Sequence, residues 1–148
     1  MSVSYDIFVG AFLNKVEDYD FPLKDYERNS MIDGYMKRAI SAFRKICKYD
    51  LSTTGDDIIR EFNLDIATED LDELADIISE GMVVQWIKPY VYKQESLENT
   101  LSTRDFTLHS PSALVQRVSE VHRQALRHFT NMMREYSYNH GDLTALHL

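Results

Sequence analysis

The stretch from Thr68 to Leu101, TEDLDELADIISEGMVVQWIKPYVYKQESLENTL, carries the longest helical pattern of this 148-residue sequence. Thr68 is suited to cap a helix N-terminus, and the acidic residues that follow it favour the positive end of the helix dipole. Apolar residues then recur at spacings of three and four: Leu71, Leu74, Ala75, Ile78, Met82 and Trp86. The pattern predicts a long central helix on which shorter helices pack.

Two residues interrupt this pattern. Pro89 removes a backbone donor, but the spacing of three and four continues to Leu101, so we expect a kinked helix that runs on past the proline. Gly81 in mid-helix costs about 1 kcal/mol relative to alanine. It can serve as a hinge or allow close helix packing, and we favour packing.

Three further helices are predicted on either side of the central one. Apolar periodicity places them at Ser4 to Val16, at about Asp25 to Lys48, and from Ser110 to about Tyr136. Ser110 and Pro111 supply an N-cap and a favoured first helical residue for the last helix. Its apolar stripe comprises Leu114, Val118, Val121, Ala125, Phe129, Met132 and Tyr136.

The segments between and after these helices complete the predicted fold. Tyr49 to Gly55 is a turn, and Asp56 to Phe62 is predicted to form one or two helical turns with Ile58, Ile59 and Phe62 facing the core. Ser102 to His109 is expected to be a loop or a short strand. We therefore predict an all-α fold, a compact bundle of four to five helices.

The last twelve residues, SYNHGDLTALHL, are predicted to form an extended C-terminal arm, 137–148, beyond a single helical domain, 1–136. Asn139-His140-Gly141 is a helix-stop signal. The leucines beyond it suggest that the arm docks on its own core or on another subunit. The proposed docking residues are Tyr138, Leu143, Leu146 and Leu148.

Composition limits the compartment and the class of partner. The single Cys47 excludes an internal disulfide framework, and neither a signal peptide nor a membrane-spanning apolar run occurs, so we expect a soluble protein of a cytoplasm. The net charge of −8 opposes specific DNA or RNA binding.

The charge is distributed unevenly along the chain. Asp56 to Glu80 contains ten acidic residues and one basic residue, Arg60, whereas Arg104 to Arg134 contains five arginines against two acidic residues. Such segments are either solvated surface or two sides of a contact between copies. We assign the subunit interface to Asp72, Glu73, Asp76, Arg117, Arg123, Arg127 and Arg134.

No motif for catalysis, for a cofactor or for a metal is present. The histidines lack the zincin spacing, no cysteine pair exists for zinc, and the EF-hand spacing is absent around Asp56 and Asp65. Glycine-rich phosphate loops and the G-x-S-x-G elbow are absent as well. We therefore expect no catalytic residues, no cofactor and no enzymatic activity.

Three phrases carry a resemblance to a known family: EGMVVQWIKPY (80–90), QESLENTLSTRDFT followed by Ser110-Pro111, and MMREYSYNHGDLTALH (132–147). Together they resemble the head–tail connector, or neck adaptor, proteins of tailed bacteriophages. The resemblance implies a structural virion protein, assembled in the bacterial host cytoplasm, that forms a ring, commonly of twelve copies, beneath the portal. It implies as partners the portal protein, a stopper or tail protein, and genomic DNA that passes through unbound.

Other classes of protein remain open. The strongest alternative is a small acidic helical protein that binds or inhibits a host protein. An enzyme with an unrecognised site would show a cleft with several titratable groups of shifted pKa. A DNA-binding regulator conflicts with the charge.

Overall fold

The computed structural model of the protein describes residues 2–16, 25–102 and 109–140. Within these ranges the chain forms four helices, α1 (Tyr5–Lys15), α2 (Asp25–Phe43), α3 (Thr68–Ser102) and α4 (His109–His140). It also forms three short strands, β1 (Val3–Ser4), β2 (Gly55–Asp56) and β3 (Glu61–Phe62). The predicted helical bundle is confirmed, and the small sheet is an addition that we did not predict.

Helix α3 is the centre of the bundle, because α1, α2 and α4 all pack against it. Its Leu74, Ile78 and Met82 side chains are completely buried, and so is Ser79, whose hydroxyl donates a hydrogen bond to the Asp76 carbonyl oxygen. The central position that the sequence pattern predicts for this segment is therefore correct.

Helix α3 continues through Pro89 to Ser102, as predicted. Gly81 lies where three helices meet. A Cβ atom on Gly81 would lie 2.7 Å from Phe129 Cζ of α4 and 2.8 Å from Ala39 Cβ of α2. The glycine is therefore explained by close helix packing.

Helices α3 and α4 run antiparallel. Gly81 faces Phe129, and Glu80 Oε1 lies 3.1 Å from His128 Nδ1. Further along α3, Lys88 lies close enough to His122 to help burial lower the pKa of that imidazole. Residue numbers thus fall along α4 as they rise along α3.

Helix α1 begins at Tyr5, one residue after the predicted start, and Ser4 is its N-cap, whose hydroxyl accepts a hydrogen bond from the Asp6 amide at 3.2 Å. The helix ends at Lys15, and Val16 is its C-cap. Phe8 and Phe12 are completely buried, and Phe12 packs edge-on against Trp86 of α3. The apolar face predicted for this helix therefore contacts the core.

Helix α2 ends at Phe43, five residues before the predicted end at Lys48. The amides of Ile46 and Cys47 both donate to the Phe43 carbonyl oxygen, at 3.1 and 3.0 Å, which closes a turn. The Lys48 amide donates to the Tyr136 hydroxyl of α4 at 3.1 Å instead of continuing the helix. A tertiary contact therefore replaces the last predicted helical turn.

The prediction of helical turns at Asp56 to Phe62 is wrong. Strands β2 and β3 pair there as an antiparallel hairpin, and β1 adds to the other side of β3, with Val3 opposite Phe62. Phe62 is buried as predicted, but Ile58 and Ile59 lie in the connecting loop and are exposed. Pairing with the distant N-terminal strand, which no local pattern shows, is what stabilises the extended conformation.

Helix α4 begins at His109, one residue before the predicted cap, and continues to His140, four residues beyond the predicted end. The first four residues of the predicted arm, 137–140, are therefore helical. Val121 is 45% exposed and does not belong to the buried stripe that we assigned it to. Most of the segment that we predicted as a loop or short strand, 103–108, lies outside the described part of the chain, as do the Leu114 side chain and the arm residues 141–148.

Candidate functional site: charged docking surfaces

An acidic ridge lies along the first half of α3. Asp72 and Asp76 of the predicted interface are exposed, and Glu73 is half-buried. Lys15 of α1 binds Asp76 Oδ1 at 3.0 Å and Glu80 Oε2 at 2.8 Å, and His128 of α4 lies on the other oxygen of Glu80. The inner end of the ridge therefore joins three helices, while Asp72 remains open to solvent.

A basic stripe follows the outer side of α4. The Arg123, Arg127 and Arg134 side chains are exposed, and so is Tyr138, which is 75% accessible. Arg127 stands two residues from both Ala125 and Phe129, which are buried, so a period of 3.6 residues directs it away from α3. Between the described side chains, no ion pair involves these three arginines or the exposed Arg117.

These two surfaces are the ones that the sequence predicts as a subunit interface. Among the ion pairs between described side chains, none joins the two surfaces within one copy: Asp76 and Glu80 of the ridge contact Lys15 and His128. The basic stripe lies on the side of α4 that faces away from α3. A copy of the protein therefore offers an acidic and a basic surface on different sides.

The hairpin carries a third feature, an ion-pair hub that sequence analysis missed. Arg60 Nε and Nη2 donate to the two carboxylate oxygens of Asp33 on α2, each at 2.8 Å. Arg60 Nη1 donates to Asp6 of α1, also at 2.8 Å. The hydrogen bonds to the Asp33 carboxylate contribute most to raising the pKa of Arg60, so the guanidinium stays charged. The hub fixes the hairpin to both helices.

A second contact of the hairpin involves Asp57. Lys37 of α2 donates to Asp57 Oδ2 at 2.6 Å, and the Tyr5 hydroxyl of α1 donates to Oδ1 at 2.9 Å. These two hydrogen bonds lower the pKa of Asp57, Lys37 having the larger effect. Burial, and then the hydrogen bond to Asp57, raises the pKa of Tyr5 well above its usual value.

A signal of the hub does exist in the sequence. Arg60 is the only basic residue among ten acidic ones from Asp56 to Glu80. A lone cation in an acidic segment is a natural ion-pair partner, but its partners Asp33 and Asp6 lie on other helices. Their identity depends on the tertiary fold, so the sequence can indicate the hub without locating it.

The tip of the hairpin exposes two large apolar side chains, Ile58 at 94% and Ile59 at 62%. They lie in the four-residue loop between Asp56 and Glu61. The Ile58 amide donates to Asp56 Oδ1 at 2.9 Å, and Arg60 adopts a positive φ of 55°. Gly55 and the β-branched pair were the available sequence signals for a hairpin.

Two clefts lie beside the hairpin, and one half-buried thiol follows α2. Two open clefts of about 350 and 370 Å³ flank the Lys37–Asp57 ion pair, which forms a wall of both. Burial raises the pKa of the half-buried Cys47 thiol, which disfavours the reactive thiolate. Among the described residues, no three His, Cys, Asp or Glu side chains are placed to share a metal ion.

The structure describes only the first four residues of the predicted docking arm, 137–140. Tyr138 lies on the helical part, at the end of the basic stripe. Leu143, Leu146 and Leu148 lie outside the described residues. Among the described helices, none is long and apolar enough to cross a bilayer.

The chain was compared with known protein families, curated proteins and solved structures. No protein-family model, no curated protein and no solved structure matches the chain.

Proposed function

We propose that the protein is a structural head–tail connector of a tailed bacteriophage. In this proposal it assembles as a ring, commonly of twelve copies, beneath the portal, extends the DNA channel and gives the stopper or tail protein a docking surface. It acts in the virion after assembly in the host cytoplasm, and it catalyses no reaction. The basis of the assignment is the resemblance of residues 80–90, 94–111 and 132–147 to this family, together with the surface described below.

The observation that carries the proposal is the pair of oppositely charged surfaces on one copy. A ring requires a heterologous contact, in which two different patches of each copy meet. Asp72 and Asp76 are exposed, and Arg123 and Arg127 have no ion-pair partner among the described side chains, so the two surfaces have the required complementarity. Their placement on different sides of the molecule allows each copy to contact two neighbours.

The overall acidity supports a passive role towards DNA. A protein of net charge −8 repels phosphate groups, so a channel wall built from it allows DNA to pass without binding. Sequence-specific recognition would instead need a basic surface larger than the stripe on α4.

Co-sedimentation with DNA-filled capsids that lack tails tests the proposal directly. We expect the purified protein to bind in a fixed number of copies per capsid, and electron microscopy should place it at the single portal vertex. A folded protein that stays in the supernatant would refute the connector function.

The C-terminal arm can be tested in the same assay. Deleting residues 137–148 removes Tyr138 and the three leucines, and we expect it to abolish capsid binding. A deletion of 141–148 is the better matched variant, because it leaves α4 whole. Normal binding of both variants would refute the docking role.

One observation favours the alternative of a host-protein binder. The exposed Ile58 and Ile59 at the hairpin tip are an apolar protrusion of the kind that inserts into a groove of another protein. A binder of this class would remain a monomer or dimer and would not sediment with capsids. The capsid assay therefore separates the two functions.

A further inference from the structure

The hairpin tip is an apolar protrusion whose shape is fixed before any partner binds. Ile58 and Ile59 point into solvent, while the residues on both sides of them are anchored. Arg60 is held by Asp33 and Asp6, and its carbonyl oxygen accepts a hydrogen bond from the Tyr5 amide at 2.9 Å. A loop held in this way loses little conformational entropy when it docks.

The surroundings of the tip are predominantly acidic. Carboxylates at the base and sides of the hairpin outnumber the cations: Asp6, Asp33, Asp56, Asp57 and Glu61 against Lys37 and Arg60. Between described residues, the Glu61 carboxylate accepts a side-chain hydrogen bond only from the Ser2 hydroxyl. Asp56 is exposed. The tip is therefore an apolar pair within a negatively charged rim.

A complementary surface exists on α4 of the same chain. Leu126 is 45% exposed, and Arg123 stands three residues before it, so the two side chains are neighbours on the helix surface. Arg127 follows at the edge of the same surface, and neither arginine has an ion-pair partner among the described side chains. This surface is an apolar side chain with a positively charged rim.

We infer that the hairpin tip of one copy docks on Leu126, Arg123 and Arg127 of α4 in the next copy. Ile58 and Ile59 would cover Leu126, and the carboxylates of the hairpin would face the two arginines. This contact deepens the proposed ring function and rests on it. It also moves the acidic side of the interface from the α3 ridge to the hairpin.

A second copy is the occupant that the charges favour. In a single copy the hairpin is anchored to α1 and α2, whereas α4 packs on α3, and both surfaces remain open. Each copy thus carries one tip and one α4 surface. A contact between two such different patches is heterologous: a pair of copies still has one free tip and one free α4 surface, so further copies add and form a ring where the rotation closes.

Cysteine cross-linking between two kinds of copy tests the contact. Both carry Cys47→Ala, which removes the only native thiol. One kind then carries Ile58→Cys, and the other, labelled with 15N, carries Leu126→Cys. Mixed copies are cross-linked with a short bis-maleimide, in concentrated solution and on tailless DNA-filled capsids, and the mixed dimer is identified by its mass. Ile58 and Leu126 are exposed, and circular dichroism checks that the substituted copies fold.

Arg38 provides the matched control position, because it is exposed on α2 and takes no part in the inferred contact. We expect the Ile58→Cys and Leu126→Cys mixture to cross-link at least tenfold more than a mixture of Ile58→Cys with Arg38→Cys. A charge-reversal series uses the same cysteine pair. Copies that all carry Asp56→Lys, Arg123→Glu and Arg127→Glu should cross-link more than copies that carry only the two arginine reversals, because opposite charges then face each other again across the contact.

The outcomes separate this contact from the proposed function. Capsid-bound copies that do not cross-link through these positions would overturn the contact and leave the connector function standing. Cross-linking in solution without capsid binding would support the contact and overturn the connector function. Dominant cross-linking between two Ile58→Cys copies would mean a tip-to-tip dimer and would overturn the inference.

Discussion

Arg60 and Asp33 form a two-point contact between the β2–β3 hairpin and α2. Both hydrogen bonds, from Nε and Nη2 to the two carboxylate oxygens, measure 2.8 Å, and the two side chains are only 22% and 15% exposed. A planar guanidinium matches a carboxylate in a way that an ammonium group does not. The orientation of the hairpin therefore depends on the shape of the arginine as well as its charge.

Replacing Arg60 with lysine should lower the free energy of unfolding by about 1–3 kcal/mol, because lysine keeps the charge but cannot reproduce the paired hydrogen bonds. Urea unfolding followed by circular dichroism measures the change. Arg38→Lys is the control, since Arg38 is exposed and should change stability by less than about 0.5 kcal/mol. Equal effects at the two positions would contradict the structural role of the pair.

The backbone of Arg60 gives a second, independent prediction. Its φ of 55° is unfavourable for a residue with a Cβ atom but acceptable for glycine. Arg60→Gly and Arg60→Ala lose the same ion pairs, so we expect the glycine variant to be the more stable by about 1 kcal/mol. An alanine variant as stable as the glycine variant would show that the loop relaxes out of this conformation.

Gly81→Ala should destabilise the protein although alanine has the higher helix propensity. The added methyl group would meet Phe129 and Ala39 within 3 Å, and overpacking of this kind costs about 1–3 kcal/mol. Gly34→Ala in α2 is the matched control, because nothing lies within 4 Å of its Cβ position. There we expect a gain of about 0.5–1 kcal/mol from helix propensity, measured by the same unfolding experiment.

Tyr136 should make stability depend on alkaline pH. Its side chain is buried against Phe43, and burial raises its pKa to about 12, against about 10 for an exposed tyrosine. Below pH 10 the phenol is protonated in both states, and its contribution to stability is complete. Between pH 10 and 12 only the unfolded chain releases the proton, so that contribution falls by about 1.4 kcal/mol per pH unit.

The comparison of wild type with Tyr136→Phe isolates this effect. At pH 8 the variant should be less stable by about 1 kcal/mol, because the Lys48 amide loses its acceptor. The difference should vanish near pH 11 and reverse by pH 12, because the wild type loses about 1.4 kcal/mol per pH unit in this range and the phenylalanine variant does not. Tyr138→Phe is the control, since its exposed hydroxyl should leave both stability and its pH dependence unchanged.

Reversing the charge of Arg123 and Arg127 to glutamate should impair assembly without unfolding the protein. Both side chains are exposed and unpaired among the described residues, so the melting temperature should change by only a few degrees. Binding to tailless capsids should fall at least tenfold, measured by co-sedimentation. Arg38→Glu on α2 with Lys45→Glu in the turn that follows it changes the net charge equally and is the control. A similar loss in that variant would point to a general charge effect.

The helices were predictable because their signals are local. The spacing of three and four from Thr68 to Leu101 places α3 correctly, and the spacing from Ser4 to Val16 places α1 to within one residue at each end. The packing role of Gly81 was also favoured correctly. In each case the residues that decide the structure lie within a few turns of one another in the chain.

The wrong predictions of secondary structure fall where contacts between residues far apart in the chain determine the local conformation. The hairpin depends on pairing between Val3 and Phe62 and on ion pairs from Arg60 to Asp33 and Asp6. The early end of α2 depends on the Tyr136 hydroxyl from α4. The sequence shows which segments carry the charged residues. That the basic stripe faces away from α3 follows only from the burial of Ala125 and Phe129.

The sheet also has a consequence for the order of folding. Its six residues join Val3 to Phe62, so the loop that they close contains α1 and α2 entirely. Such a closure loses chain entropy before its contacts form, and contacts of this sequence separation are made slowly. On the ribosome, β1 has no partner until Phe62 has left the exit tunnel. The sheet therefore cannot close before the hairpin is made, and the N-terminal helices must wait still longer for α3, on which both of them pack.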